Sequence, residues 1–165
     1  MKYVETSRAR TLRRVLVWLF VICGYLLSTT FAYGYVEVDS EPELIAMTAL
    51  NLAFGSIGTD HPVYRNTVFG VMYMVIPLIG FFFMFFDKKG NVKNLVGICC
   101  GAIGCLSIAL PIGFNEELAP GIGSILSMLL YVFITTISAI SVFVKIEDNA
   151  KARNEGEVPL LNSKL

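Results

Sequence analysis

The sequence predicts an all-α membrane protein, an antiparallel bundle of four transmembrane helices with a short outer interfacial helix. Four apolar segments carry this prediction, at residues 15–35, 67–86, 95–114 and 121–144. Each has about the 20 residues that a spanning helix needs, and none contains Asp, Glu, Lys, Arg or His. Composition agrees, because 16% of the residues are charged, against about 25% in a soluble domain.

The distribution of basic residues predicts the orientation in the cell membrane. Of the 13 Lys and Arg residues, all except Arg65 lie on one side of the four spans. Since cytoplasmic segments are enriched in Lys and Arg, we expect both termini to be cytoplasmic. Residues 1–14 then form a basic cytoplasmic N-terminus and residues 15–146 the transmembrane domain. Residues 147–165 mix charges with Asn, Gly and Pro, which predicts a disordered cytoplasmic tail.

The first span, residues 15–35, has a second interpretation. It follows a run of arginines and ends in Ala32-Tyr33-Gly34, a pattern that also fits a cleavable signal peptide. Because its apolar run is long enough to span the membrane, we expect it to be retained. Cleavage of residues 1–34 would leave three helices and the same placement of the C-terminus.

The long outer loop, residues 36–66, is expected to contain a helix over about residues 41–54. Ser40-Glu41-Pro42-Glu43 has the spacing of a capping box, and proline is tolerated in a first helical turn. Gly55 supplies a stop signal. The segment is too short to cross the bilayer, so we expect it at the outer interface or over the mouth of the bundle.

Two patterns of small or polar residues mark the third and fourth spans. The third span carries a ridge of small residues that favours close packing, within the chain or between two copies: Gly97, Gly101, Gly104 and Cys105. The fourth carries hydroxyl groups within about 120° of one another on a helix: Ser124, Ser127, Tyr131, Thr135, Ser138 and Ser141. This polar stripe favours interhelical hydrogen bonds, and the alternative is a hydrated path for a small neutral solute.

Residues that could carry chemistry are few. Cys99, Cys100 and Cys105 could bind a soft metal, but no histidine or carboxylate is near them in the sequence, so we expect no metal and no cofactor. Asp60 and His61 could act as a base, although Asp-His-Pro is also typical of a turn. We therefore assign no catalytic residue.

The sequence favours a non-catalytic subunit or accessory protein of a membrane complex, because ionisable groups that mark ion paths and intramembrane catalysts are missing from the spans. Its expected partners are the lipid bilayer and another membrane protein or a second copy of the chain, with no nucleic acid. The first alternative is a small permease or channel component for a mostly neutral solute. The second is an outward-facing enzyme that uses Asp60 and His61.

Overall fold

The computed structural model describes residues 6–38, 41–54, 67–87, 92–114 and 118–154. In chain order they form α1 (Ser7–Leu26), β1 (Ala32–Val38), β2 (Glu41–Met47), α2 (Ala49–Phe54), α3 (Thr67–Phe86), α4 (Val92–Phe114), β3 (Leu118–Pro120) and α5 (Ile122–Asn154). This part of the chain is mostly helical. Three segments are long and apolar enough to span a membrane: Val68–Phe86, Val92–Phe114 and Ile122–Ile146. The last three predicted spans are therefore confirmed as long apolar helices.

Helix α1 is shorter at its C-terminal end than the predicted span 15–35. It ends at Leu26, where the hydroxyls of Ser28 and Thr29 donate to the carbonyls of the preceding turn at 2.7 Å. The same two carbonyls also accept from the backbone N–H groups of Ser28 and Thr29 at 3.1 Å, so the last turn of the helix is satisfied by the residues that end it. The aromatic and β-branched residues that follow favour a strand. The prediction of helix over residues 27–35 was therefore wrong, and α1 is not among the span-capable segments.

Residues 41–47 form a strand of a three-stranded sheet where we predicted the helix 41–54. Strands pair antiparallel in the order β2-β1-β3, and Tyr35 lies opposite Leu44. Only Ala49–Phe54 is helical. Pairing with β1 prevails over the local capping signal, and Pro42 is tolerated because β2 is an edge strand. Alternation is visible at the end of β2, where Leu44 is exposed and Met47 is buried.

Backbone hydrogen bonds attach the three strands and α2 to the ends of the helices, and these four elements are here called the outer cap after the side of the membrane predicted for them. Phe31 accepts from Gly121 N at 3.0 Å and donates to Met47 O at 2.8 Å, and Ala49 N donates to Leu27 O at 3.2 Å. A Cβ at Gly121 would lie 2.8 Å from the carbonyl carbon of Phe31. Glycine is thus required for this close approach, and the cap closes one end of the bundle.

The core lies between the helices and beneath the outer cap. Leu16, Phe20 and Cys23 share one face of α1, and each is 1% exposed. The ring of Phe20 occupies the space beside Gly80 of α3, and Phe31 packs on Tyr73 with ring centroids 4.8 Å apart. Helix α1 is therefore an integral part of the bundle.

Helix α5 continues beyond the predicted fourth span. It extends to Asn154, so the structure has helix over residues 147–154, where we expected a disordered tail. Charged residues at the C-terminal end of an amphipathic or apolar helix can extend it into solvent, because they have good helix propensity. The remainder of the predicted tail, residues 155–165, lies outside the described residues.

Candidate functional site at the interface of α4 and α5

The small ridge and the polar stripe predicted from the sequence face each other. Gly97 lies against Ser138, Gly101 against Thr135, and Gly104 against the ring of Tyr131. The contacts follow opposite order along the two helices, so α4 and α5 are antiparallel at this interface. The structure therefore joins two patterns that the sequence presents separately.

Two ridge glycines approach α5 so closely that a side chain would not fit. A Cβ at Gly101 would lie 2.8 Å from the carbonyl oxygen of Tyr131 and 3.1 Å from Thr135 N. A Cβ at Gly104 would lie 2.8 Å from three carbons of the Tyr131 ring. At Gly101 the close atoms belong to the helix backbone and cannot move aside, and at Gly104 they belong to the ring of Tyr131, which is 3% exposed. The interface consequently leaves no room for a solute at these two levels.

The remaining ridge residue, Cys105, also contacts α5. Its Sγ lies 3.7 Å from the carbonyl oxygen of Met128, with geometry suited to a weak S–H hydrogen bond. All four cysteines are free thiols. Among the described residues, no three His, Cys, Asp or Glu side chains come together in a group that could hold a metal ion.

Three hydroxyls of the polar stripe bond to carbonyls of α5 or of Gly121, the residue before it. Ser124 donates to Gly121 O at 2.9 Å, Thr135 to Tyr131 O at 2.9 Å, and Ser141 to Ile137 O at 2.8 Å. Serine and threonine in helices can reach the carbonyl three or four residues earlier. These hydroxyls are thus satisfied by their own helix, whereas we expected bonds between helices.

Two other stripe hydroxyls differ from these. Ser127 is 1% exposed and Ser138 is 0% exposed, and neither Oγ atom has a hydrogen-bond partner among the described residues. An unsatisfied buried hydroxyl costs about 1–3 kcal/mol. The stripe therefore contains two polar atoms, one of them beside Gly97, whose bonding potential the packing leaves unused.

The structure also buries polar residues that no sequence pattern indicated as part of a site. Lys93 and Asn94 at the start of α4 are 6% and 3% exposed, and Lys145 of α5 is 9% exposed. The backbone N–H of Lys93 donates to Asp87 Oδ2 at 3.2 Å, so Asp87 stabilises the N-terminus of α4. In the sequence, the signal for this helix cap is an acidic residue shortly before an apolar helix.

Asp60 and His61, which the sequence offers as a base, lie outside the described residues.

Comparison with protein-family models, with curated proteins and with solved structures finds no match.

Proposed function

We propose that the chain is a multi-pass protein of the cell membrane in which α1 is a fourth span beside α3, α4 and α5. Helix α1 runs along α3 in the opposite direction, since Arg13 Nη1 donates to Met84 O at 3.4 Å and Phe20 packs beside Gly80. Its apolar part, residues 15–26, extends about 18 Å, so residues 27–31 cover the rest of a hydrocarbon core of about 30 Å. Its arginines cluster at one end, where long basic side chains can reach the headgroups.

Both termini are then cytoplasmic and the outer cap faces outside, because positive charge accumulates on the cytoplasmic side. Residues 1–34 are retained in this arrangement. The support is the packing of Phe20, Cys23 and Phe31, which are buried in the core and whose removal would expose the facing helices. Mass spectrometry of the intact protein tests this point, and a mass lacking residues 1–34 would contradict it.

Within the membrane, the protein acts as a non-catalytic subunit or accessory protein of a larger complex. The observation that carries this proposal is the closed interface of α4 and α5. Its polar stripe packs against ridge glycines that leave no space for a Cβ atom, so the polar groups that could have lined a path serve helix packing.

The outer cap offers the partner an apolar contact. Tyr35 of β1 and Leu44 of β2 lie opposite each other across the sheet, and they are 52% and 47% exposed. Aromatic side chains are enriched at the centres of protein interfaces. We place the contact with the partner at this pair.

Gentle solubilisation of the tagged protein, followed by quantitative mass spectrometry, tests the accessory role. We expect a membrane protein to copurify in a fixed ratio to the chain. Leu44→Asp should abolish copurification without lowering thermal stability, because the side chain is half exposed. Leu44→Met keeps an apolar side chain and should retain the partner. Purification of the chain alone, at every detergent tested, would contradict the proposal.

The second candidate is a small permease or channel component for a mostly neutral solute. Ser127 and Ser138 favour it, because their buried hydroxyls have no partner among the described residues and could bond to a polar solute. Flux of small neutral solutes into vesicles containing the purified chain is the test. Flux that falls on Ser138→Ala would support a permease and remove the case for a purely accessory role.

A further inference from the structure

A groove lies between α1 and α3 on the outside of the bundle. Its volume is about 510 Å³, within the usual range for ligand pockets. Apolar side chains and one glycine dominate its walls: Phe20, Val21 and Gly24 of α1 with Pro77, Leu78 and Phe81 of α3. Nothing lies within 4 Å of the position that a Cβ of Gly24 would take. The missing side chain therefore keeps this part of the groove open.

The depth of the groove places it among the acyl chains. Pro77 is at the middle of the span-capable segment Val68–Phe86, and the lining is apolar apart from Ser28, at the end where Leu50 of α2 also lines the groove. Such a groove needs an apolar occupant, since water cannot satisfy its walls and an empty apolar space forfeits dispersion contacts.

The groove is part of a longer seam between α1 and α3, and one end of this seam is basic. A smaller depression of about 270 Å³ is lined there by Arg13, Arg14, Val17, Trp18 and Phe85. This depression and the groove lie next to each other along α3, because Phe85 of the depression stacks on Phe81 of the groove with ring centroids 5.6 Å apart. The hydrogen bond from Arg13 to Met84 O, at 3.4 Å, holds one cation at this end, and Arg14 is exposed.

We propose that this seam is a binding site for an anionic phospholipid, with the phosphate at Arg13 and Arg14 and an acyl chain in the groove. Arginine matches the geometry of a phosphate with paired N–H donors. Ten residues separate Arg14 from Gly24, or about 15 Å along the helix, which is half of a hydrocarbon core of about 30 Å. The site therefore has the length of one leaflet.

Trp18 supports the assignment and also reports on it. It is 66% exposed, lines the basic end, and lies at the level that tryptophan prefers in membranes. It is the single tryptophan of the chain, so its fluorescence reports on this site alone. The proposal rests on the membrane placement argued above but is independent of the accessory role.

The test uses full-length protein in phosphatidylcholine vesicles that contain a small fraction of lipid brominated in its acyl chains. Co-flotation with the vesicles first establishes membrane placement, separately from the lipid site. Basic residues attract anionic lipid, so brominated phosphatidylglycerol should quench Trp18 more effectively than brominated phosphatidylcholine. The same degree of quenching should need a mole fraction of phosphatidylglycerol about tenfold lower. Added inorganic phosphate should not relieve this quenching, because the acyl chain contributes to binding.

Matched variants locate the site. Arg14→Gln should lower the preference for the anionic lipid about fivefold. Arg8→Gln removes the same charge from the same helix but borders a different depression, against Ile140 and Val144 of α5, and should preserve the preference. Gly24→Leu should fill the groove and lower the preference, whereas Gly113→Leu, also in open space, should not.

Three results would overturn the proposal. Equal quenching of the wild-type protein by the two brominated lipids would show that the seam does not select anionic lipid. Equal losses in the Arg8→Gln and Arg14→Gln variants would indicate general surface charge. Flotation without quenching by either lipid would show that a second copy or another protein covers the groove.

Discussion

Gly101 shows how a single residue determines the spacing of α4 and α5. A Cβ there would lie 2.8 Å from Tyr131 O and would also collide with Thr135. Gly101→Ala should therefore lower the free energy of unfolding by about 1–3 kcal/mol, as overpacking does in other cores. Thermal unfolding in detergent measures the change.

The same helix supplies a matched control for this substitution. Gly113 is exposed, and nothing lies within 4 Å of the position of its Cβ. Gly113→Ala should be neutral or raise stability by up to about 1 kcal/mol, because alanine has the higher helix propensity. Equal losses of stability at the two positions would contradict the packing that the structure shows.

Ser138 and Ser124 provide a second comparison at the scale of the residue. Ser138→Ala removes a buried hydroxyl without a partner among the described residues, so stability should be unchanged or rise by about 1 kcal/mol. Ser124→Ala removes the bond to Gly121 O and should cost about 1 kcal/mol. A large loss of thermal stability from Ser138→Ala alone would mean that this hydroxyl has a polar partner, and it would contradict the expectation.

The sequence predicts the members of the α4–α5 interface but not their partners. Spacing of four residues identifies Gly97 and Gly101, and helical periodicity identifies the stripe on α5. Which carbonyl each hydroxyl contacts depends on rotamers and on the distance between helices, and neither is encoded in the spacing. For the same reason, the groove beside Gly24 could not be found from its sequence position.

At the scale of the element, the outer cap is where local signals and tertiary pairing disagree. The capping box at residues 40–43 predicted a helix, but β1 offers Glu41–Met47 a pairing partner. Helix formation needs a costly first turn. As a strand, β2 instead forms backbone hydrogen bonds with β1, and the residue before β1, Phe31, is bonded to Gly121 at the start of α5. A local sequence pattern does not indicate which distant segment of the chain will pair with it.

Cross-strand cysteines test this sheet. Tyr35 and Leu44 are register partners, as are Tyr33 and Ala46, and directly opposed residues have the spacing that a disulfide accepts. Mild oxidation should cross-link the pairs 35/44 and 33/46. The pair 33/44, which is two residues out of register, should remain largely reduced. Cross-linking of 33/44 as readily as 35/44, as judged by peptide mass spectrometry, would contradict the register.

At the scale of the whole molecule, hydropathy and charge predict α3, α4 and α5 well because bilayer thickness constrains helix length directly. They describe α1 less well. With four arginines at its start, α1 is not apolar enough over its length to count as a spanning helix by composition. Even so, Leu16, Phe20 and Cys23 are buried against the other helices. The proposal that it is a fourth span therefore depends on packing, which places its N-terminal end beside the C-terminal end of α3.

We propose that α1 crosses the membrane with the other three long helices, so that the start of α1 and the outer cap lie on opposite sides. The direct measurement is labelling of single introduced cysteines, at Ser7 and at Pro120 of β3, by an impermeant thiol reagent in intact cells. Both positions are exposed, Pro120 is outside the pair at which we place the partner, and the unsubstituted protein corrects for the native cysteines. We expect the cysteine at position 120 to react in intact cells and the cysteine at position 7 to react only after permeabilisation. Labelling at position 7 in intact cells would contradict the four-span arrangement.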